Sequence, residues 1–269
     1  MSWNEIEKAF LKAWASVFSK HKLLMSFIAL SLCGILLVFC RALSIQASSW
    51  VGLSLLFLPI LLSSGLLLSL GVLLVRIYSH ETKGLVLKMG RLFAGSADVA
   101  IGTSYLSLPP LLIYLLLWIA LGLFFLIKEI PLIGPFFNVI LAFGPFLLIF
   151  CSLLLCLLNV GLLFFVAPAA AMQSAKRLHL AQRIWQSLKL HPFASFVLFF
   201  IGLLPALAIG SLLTIAAVLT NLSFSLSEPS FALALEWFFV MLPFCALLSP
   251  TVVFFFHFSA ESHQLLQRR

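Results

Sequence analysis

Residues 106–127 read LSLPPLLIYLLLWIALGLFFLI, an apolar stretch without Asp, Glu, Lys, Arg or His. An α-helix rises about 1.5 Å per residue, so about twenty such residues cross the roughly 30 Å hydrocarbon core of a bilayer. Stretches of the same character recur near Leu23–Phe39, Val51–Val75, Phe136–Val166, Phe193–Leu219 and Phe231–Phe258, which makes six with Leu106–Ile127. In hydrocarbon every backbone amide must bond within its own segment or in a closed barrel. The stretches are continuous and rich in Leu and Phe, without the period-two alternation of barrel strands, so helices are predicted. The expected fold is all-α, a polytopic transmembrane helical bundle of about six spans, with residues 1–269 forming a single integral membrane domain.

Composition agrees with this reading. Hydrophobic residues make up 63% of the chain and charged residues only 9%, with a mean hydropathy of +1.21. Soluble domains carry about 25% charged residues, and a water-exposed surface cannot absorb so much apolar area. The formal charge of +8 suggests nucleic acid only if the charges cluster on one soluble face. Here they lie between apolar stretches, which points to topology and to anionic lipid headgroups, and no nucleic-acid partner is expected. Cys33, Cys40, Cys151, Cys156 and Cys245 all fall in or beside apolar stretches without a C-x-x-C pair, and read as small buried hydrophobes. Leu23–Phe39 follows an amphipathic segment and lacks a clean A-x-A site, while Leu32 before Cys33 is too bulky for a lipoprotein cleavage box. It is therefore expected to be an uncleaved span.

Lys and Arg number four before the first span, one at Arg41, four from Arg76 to Arg91, one at Lys128, four from Lys176 to Lys189, none around Asn221 and two at the end. Basic residues are retained on the cytoplasmic side, so the four-rich connections and both termini belong inside, which requires an even number of spans. The fourth stretch is long and punctuated by Pro131, Gly134, Pro135, Gly144 and Pro145, which leaves open a short interfacial or re-entrant piece at its start.

Each basic connection precedes two spans, which suggests three repeated helix-plus-hairpin units, 1–75, 76–166 and 167–269. Lys12 and Arg183 each stand two residues before a tryptophan, Trp14 and Trp185, and Lys88 occupies a comparable place. Projected at 100° per residue, Ile6, Phe10, Trp14 and Val17 share one face, opposite Lys8, Lys12, Ser16 and Ser19, with Ser2 and Glu5 spaced as a capping box. The connection bearing Leu85, Met89, Leu92 and Phe93 against Lys83 and Arg91 is intermediate. The third sets Leu178, Ala181, Trp185 and Leu188 against Lys176, Arg183 and Ser187, less cleanly because of Leu180 and Lys189. Lys8, Lys12, Trp14, Lys83, Lys88, Arg91, Lys176, Arg183 and Trp185 are the candidate contacts to anionic lipid or to a partner, a membrane protein or a second copy. The competing reading is that these helices only anchor the spans.

Val166-Ala167-Pro168, a small-residue turn and the basic Lys176-Arg177 to Trp185 helix leading to Phe193 resemble a group of bacterial polytopic membrane domains. The group includes the YciC-like proteins and the membrane domain attached to some glycerophosphodiester phosphodiesterases. The resemblance covers the last third of the chain plus the general plan. It implies a multi-pass protein of the bacterial inner membrane without phosphodiesterase activity, because the catalytic domain of those enzymes is a separate soluble unit.

Ionisable groups at membrane depth are functional candidates, since insertion there costs about 2.5–3.5 kcal/mol or more. Glu236 beside Trp237 is the candidate intramembrane polar site. His257 near the inner end of the last span, and Lys128 with Glu129, are expected to reach the headgroups. Asn138 and Asn159 read as interhelical hydrogen-bonders. Pro59, Pro145, Pro205, Pro243 and Pro250 fall within spans, as in transporters whose broken helices line a substrate site, and also as ordinary kinks. The six histidines, His21, His80, His179, His191, His257 and His263, show no metal-ligand spacing, and Asp98 is the only aspartate. No G-x-S-x-G, H-E-x-x-H or Walker loop occurs, so no catalytic residue, metal or cofactor is assigned. The leading expectation is a non-enzymatic structural, lipid-interacting or partner-binding inner-membrane component. The alternative is a small transporter or channel subunit using the proline-broken fourth to sixth spans.

Overall fold

The computed structural model describes residues 3–47, 49–84, 105–128, 134–172, 192–220 and 231–267. The described residues are helical throughout their length apart from short turns. They form α1 (Trp3–Ala15), α2 (Lys20–Gln46), α3 (Ser49–Thr82), α4 (Leu108–Lys128, preceded by a 3-10 turn at Tyr105–Ser107), α5 (Gly134–Met172), α6 (Pro192–Leu219) and α7 (Phe231–Gln267). Leu, Phe, Ile and Ala dominate α2 to α7, and with no water to solvate the backbone the helical ladder is the arrangement that satisfies each amide locally.

Five of these helices, α2, α3, α5, α6 and α7, contain segments long and apolar enough to cross a membrane, and α4 contributes a shorter apolar segment, Leu108–Leu123. The chain is thus a polytopic helical bundle. Its outside is what a lipid-facing surface requires: Leu116 is 69% exposed, Phe146 62% and Leu204 61%, in company with many other large apolar side chains. A soluble monomer rarely exposes contiguous apolar patches beyond a few hundred Å².

Helix ends differ from the sequence expectation in physically informative ways. α3 does not stop at Val75 but runs seven residues further to Thr82, because Ile77 and Tyr78 are buried against the bundle and give this last turn its own packing. The fourth stretch is a single helix of 39 residues, Gly134–Met172, with no separate re-entrant piece among its described residues. Gly144 and Pro145 lie inside it, as Pro59, Pro205, Pro243 and Pro250 lie inside α3, α6 and α7 without ending those helices. At about 1.5 Å per residue, α5 is about 58 Å long, well beyond one hydrocarbon thickness. The limits 75/76 and 166/167 considered for repeats both fall inside helices.

α2 packs against α3 and α7, α3 also against α5 and α7, α6 against α7, and α4 against α5 and α3. The main core lies where α3, α5, α6 and α7 meet and is filled by Leu74, Phe164, Leu198, Phe254 and Phe258, with Ile6, Ala9 and Ala13 of α1 closing one end. Aromatic rings meet there edge-on, as Phe164 does with Phe199 and Phe255 at 5.7 and 5.3 Å between centroids, the geometry that their quadrupoles favour. Two glycines make this density possible. A Cβ on Gly71 would run into the Phe256 ring, and one on Gly202 would lie 2.8 Å from Phe164 Cε2 and 3.0 Å from Phe258 Cδ1. A second, smaller core of Phe57, Leu61, Tyr114, Trp118, Leu121 and Leu148 fastens α4 to α3 and α5, with the Tyr114 hydroxyl donating to the Ser54 carbonyl.

Candidate functional site

The buried acidic and basic side chains among the described residues, Lys22, His257 and Glu261, gather at one end of the bundle, where the start of α2 meets the last turns of α3 and α7 beneath α1. Lys22 comes from the first turn of α2, Tyr78 and Glu81 from the end of α3, His257 and Glu261 from α7, and Lys12 and Ser16 from α1 and the turn after it. Helix periodicity aligns them: Tyr78 and Glu81 are three residues apart, His257 and Glu261 four, and each pair therefore shares a helix face.

Glu261 Oε1 accepts from Lys12 Nζ at 2.6 Å and from the Tyr78 hydroxyl at 2.6 Å. Lys22 Nζ donates to Glu81 Oε2 at 2.5 Å and to the Ser16 carbonyl at 3.2 Å. Both ammonium groups also stand 5.9 Å from the centroid of the Tyr78 ring, within reach of its negative face. The site thus holds two cations and two anions around one tyrosine. The pairs differ in exposure, however: the Lys22 side chain is 1% exposed and that of Glu81 34%, whereas Lys12 is 51% and Glu261 10% exposed. In each pair the buried member comes from a long helix and its partner reaches water, which lowers the desolvation cost of the pair.

His257 lies at the centre, fully buried, with its ring stacked on Tyr78 at 4.6 Å between centroids and 24° between planes. Its Nδ1 is 2.8 Å from Ser16 Oγ, and Ser16 Oγ donates to the Ala13 carbonyl at 3.0 Å. A hydroxyl has one proton to give. Both contacts are therefore satisfied together when His257 donates from Nδ1, which leaves Nε2 an acceptor, and among the described residues Nε2 has no partner. A Ser–His pair invites comparison with nucleophilic catalysis, but activation of serine needs the imidazole to accept its proton and a third group to orient the ring. Here the serine proton is directed to a backbone carbonyl. Among the described residues no group of three or more His, Cys, Asp or Glu side chains could hold a metal ion. What the arrangement does is clamp: α1 and the turn after it are tied to α7 twice, by Lys12 to Glu261 and by Ser16 to His257, and to the start of α2 by Lys22.

The apolar side of α1 divides in two. Ile6, Ala9, Ala13 and Val17 face the bundle and are buried, and Phe10 packs on Phe254 and Phe258 at 4.9 and 6.1 Å. Trp3, Leu11, Trp14 and Phe18 remain exposed on the outside, with Trp14 edge-on to Phe254 and Phe18.

The candidate contacts read from the sequence are placed as follows. Lys8 and Trp14 are exposed on α1, Lys83 is exposed in the turn after α3, and Lys12, also exposed, pairs with Glu261. Lys88, Arg91, Lys176, Arg183 and Trp185 lie outside the described residues, as do Ser2 and Glu129. Glu236 is exposed on α7 while its neighbour Trp237 is buried. His257 does not reach the headgroups, because the Tyr78 ring and the turn after α1 enclose it. Asn159 is 3% exposed, and its amide nitrogen has no hydrogen-bond partner among the described residues. Tyr78, Lys22, Glu81 and Glu261 escaped the sequence reading. The spacings Tyr78-Glu81 and His257-Glu261 carry the signal, but only the convergence of three helices shows that they belong to one site. Comparison with protein-family models, with curated proteins and with solved structures finds no match to this chain.

Proposed function

We propose that this chain is a multi-pass protein of the bacterial inner membrane, with six spans and both termini in the cytoplasm, and that it works as a non-enzymatic lipid-interacting or partner-binding component. One observation carries the reading: a short helix, α1, is clamped across the end of an apolar bundle by the Lys12–Glu261 ion pair and, through the turn after it, by the Ser16–His257 hydrogen bond, with Trp3, Leu11, Trp14 and Phe18 exposed on its outer side beside Lys8. Exposed tryptophans with a nearby lysine suit the headgroup layer, where aromatic rings are amphipathic anchors and lysine meets anionic lipid. The charge alternation of the sequence assigns that same end, with Lys8, Lys12, Lys20, Lys22 and Lys83, to the cytoplasm. The clamp makes α1 a fixed platform rather than a free tail, which suits recognition of a membrane surface or of a partner lying on it. The likeness of the Val166-Ala167-Pro168 region to YciC-like domains supports the same placement.

The test is a map of cysteine accessibility in intact cells, on a cysteine-free background. Single cysteines at Arg41 and Asn221 are expected to label from outside, and those at Lys8, Lys83 and Lys176 only after permeabilisation. Labelling of Lys83 from outside overturns the orientation. A cysteine at Trp3 or Phe18 carrying an environment-sensitive dye is expected to report an apolar setting in vesicles containing anionic lipid, and a fully aqueous signal there refutes the platform.

A further inference from the structure

At the opposite end of the bundle from the ion pairs, α2, α3 and α7 leave a cleft of about 350 Å³ between them. Its walls are apolar, formed by Val38, Leu56, Pro59 and Met241 among others, while Arg41 and Ser44 line it from the last turns of α2. Arg41 is half-buried and has no ion-pair partner among the described residues. Its depth can be worked out from Lys22. Nineteen residues of the same helix separate them, which at about 1.5 Å each is about 28 Å, close to one hydrocarbon thickness. With Lys22 at one headgroup level, Arg41 lies at the other, and the apolar walls on α2 and α7 extend from it toward the interior, since Val38 precedes Arg41 on the helix leaving Lys22 and Met241 follows Trp237 on the helix returning.

We propose that this cleft is a binding site for one anionic glycerophospholipid, whose phosphate pairs with the Arg41 guanidinium while an acyl chain lies between α2, α3 and α7. The inference rests on reading the chain as a membrane protein. The chemistry is that of the site itself. A guanidinium presents a planar fork of donors matched to phosphate oxygens, and an apolar slot beneath a single cation fits an amphiphile with one charged end and a hydrocarbon tail. A zwitterionic lipid satisfies the slot equally but brings its own cation to Arg41, so the charge of the headgroup decides between them.

Trp237 lines the cleft and is its natural reporter. The full-length protein, extracted from membranes with the other five tryptophans replaced by Phe, is reconstituted into phosphatidylcholine vesicles doped with brominated phosphatidylglycerol or, separately, brominated phosphatidylcholine. At equal low mole fraction, the brominated anionic lipid is expected to quench Trp237 severalfold more strongly. Arg41→Gln is expected to abolish that preference and Arg41→Lys to retain part of it. Val38→Phe, which fills the slot and leaves the charge, is expected to lower quenching by both lipids. Equal quenching by the two lipids in the parent protein overturns the proposal, as does a preference that survives both Arg41→Gln and Val38→Phe, which marks general charge attraction in the lipid annulus. Stronger competition by a free fatty acid than by phosphatidylglycerol overturns the choice of ligand. Failure to recover the protein in the membrane fraction instead refutes the membrane reading, before any quenching is measured.

Discussion

Removing the two partners of the Lys22–Glu81 pair should have unequal costs. Lys22 is 1% exposed at its side chain and Glu81 34%. Glu81→Gln keeps the shape and one carbonyl acceptor but removes the negative charge, so the buried ammonium faces only neutral groups there, the new amide, the Ser16 carbonyl and the Tyr78 ring. Breaking a buried pair in this way costs about 3–5 kcal/mol. Lys22→Met removes the buried cation altogether and leaves a carboxylate that already reaches water. The loss is then nearer that of one charge-assisted hydrogen bond, about 1.5–3 kcal/mol, partly offset by the apolar fit of methionine. The double variant should resemble Lys22→Met alone, so the two changes are strongly non-additive. Intrinsic tryptophan fluorescence of detergent-solubilised protein, followed through unfolding for the parent, both single variants and the double variant, measures the cycle. The expected order of stability is parent, then Lys22→Met and the double variant together, then Glu81→Gln. If Lys22→Met proves as damaging as Glu81→Gln, or the two losses simply add, the reasoning from unequal burial is wrong.

Gly71→Ala and Gly202→Ala should each destabilise by about 1–3 kcal/mol through overpacking, because rings of Phe256, Phe164 and Phe258 occupy the space. The matched changes Gly161→Ala and Gly210→Ala, which meet nothing within 4 Å, should instead gain up to about 1 kcal/mol from helix propensity; thermal melts of the four variants check the contrast. Tyr78→Phe deletes the donor to Glu261 Oε1 while keeping the ring under both ammoniums, for an expected loss of about 1.5–3 kcal/mol, and protease sensitivity of the α1 region should rise with it. Asn159→Leu should leave the melting temperature unchanged or raise it, since the side chain is buried with an amide nitrogen that has no partner among the described residues. A marked fall in melting temperature would show that the amide makes a bond of structural importance.

The class of fold, the helical state of each apolar stretch and the approximate place of six long helices were all readable from the sequence. These properties are local: apolar run length and the obligation to satisfy the backbone depend on consecutive residues alone. The sequence also grouped Ile6, Phe10, Trp14 and Val17 on one face of the first segment; Ile6 and Val17 are buried there, whereas Trp14 is 41% exposed. It did not show that Lys12 pairs with Glu261 or that α3 continues past Val75. Nor did it show that Gly144 and Pro145 leave α5 in one piece, because each depends on what packs alongside. The polar site is the clearest case. Lys22 belongs with Glu81, 59 positions away, and Lys12 with Glu261, 249 positions away. Charges so far apart in sequence appear as separate flanks of separate spans. Only the assembled bundle, bringing the start of α2, the ends of α3 and α7 and the whole of α1 to one place, turns them into two ion pairs around Tyr78 and encloses His257 among them.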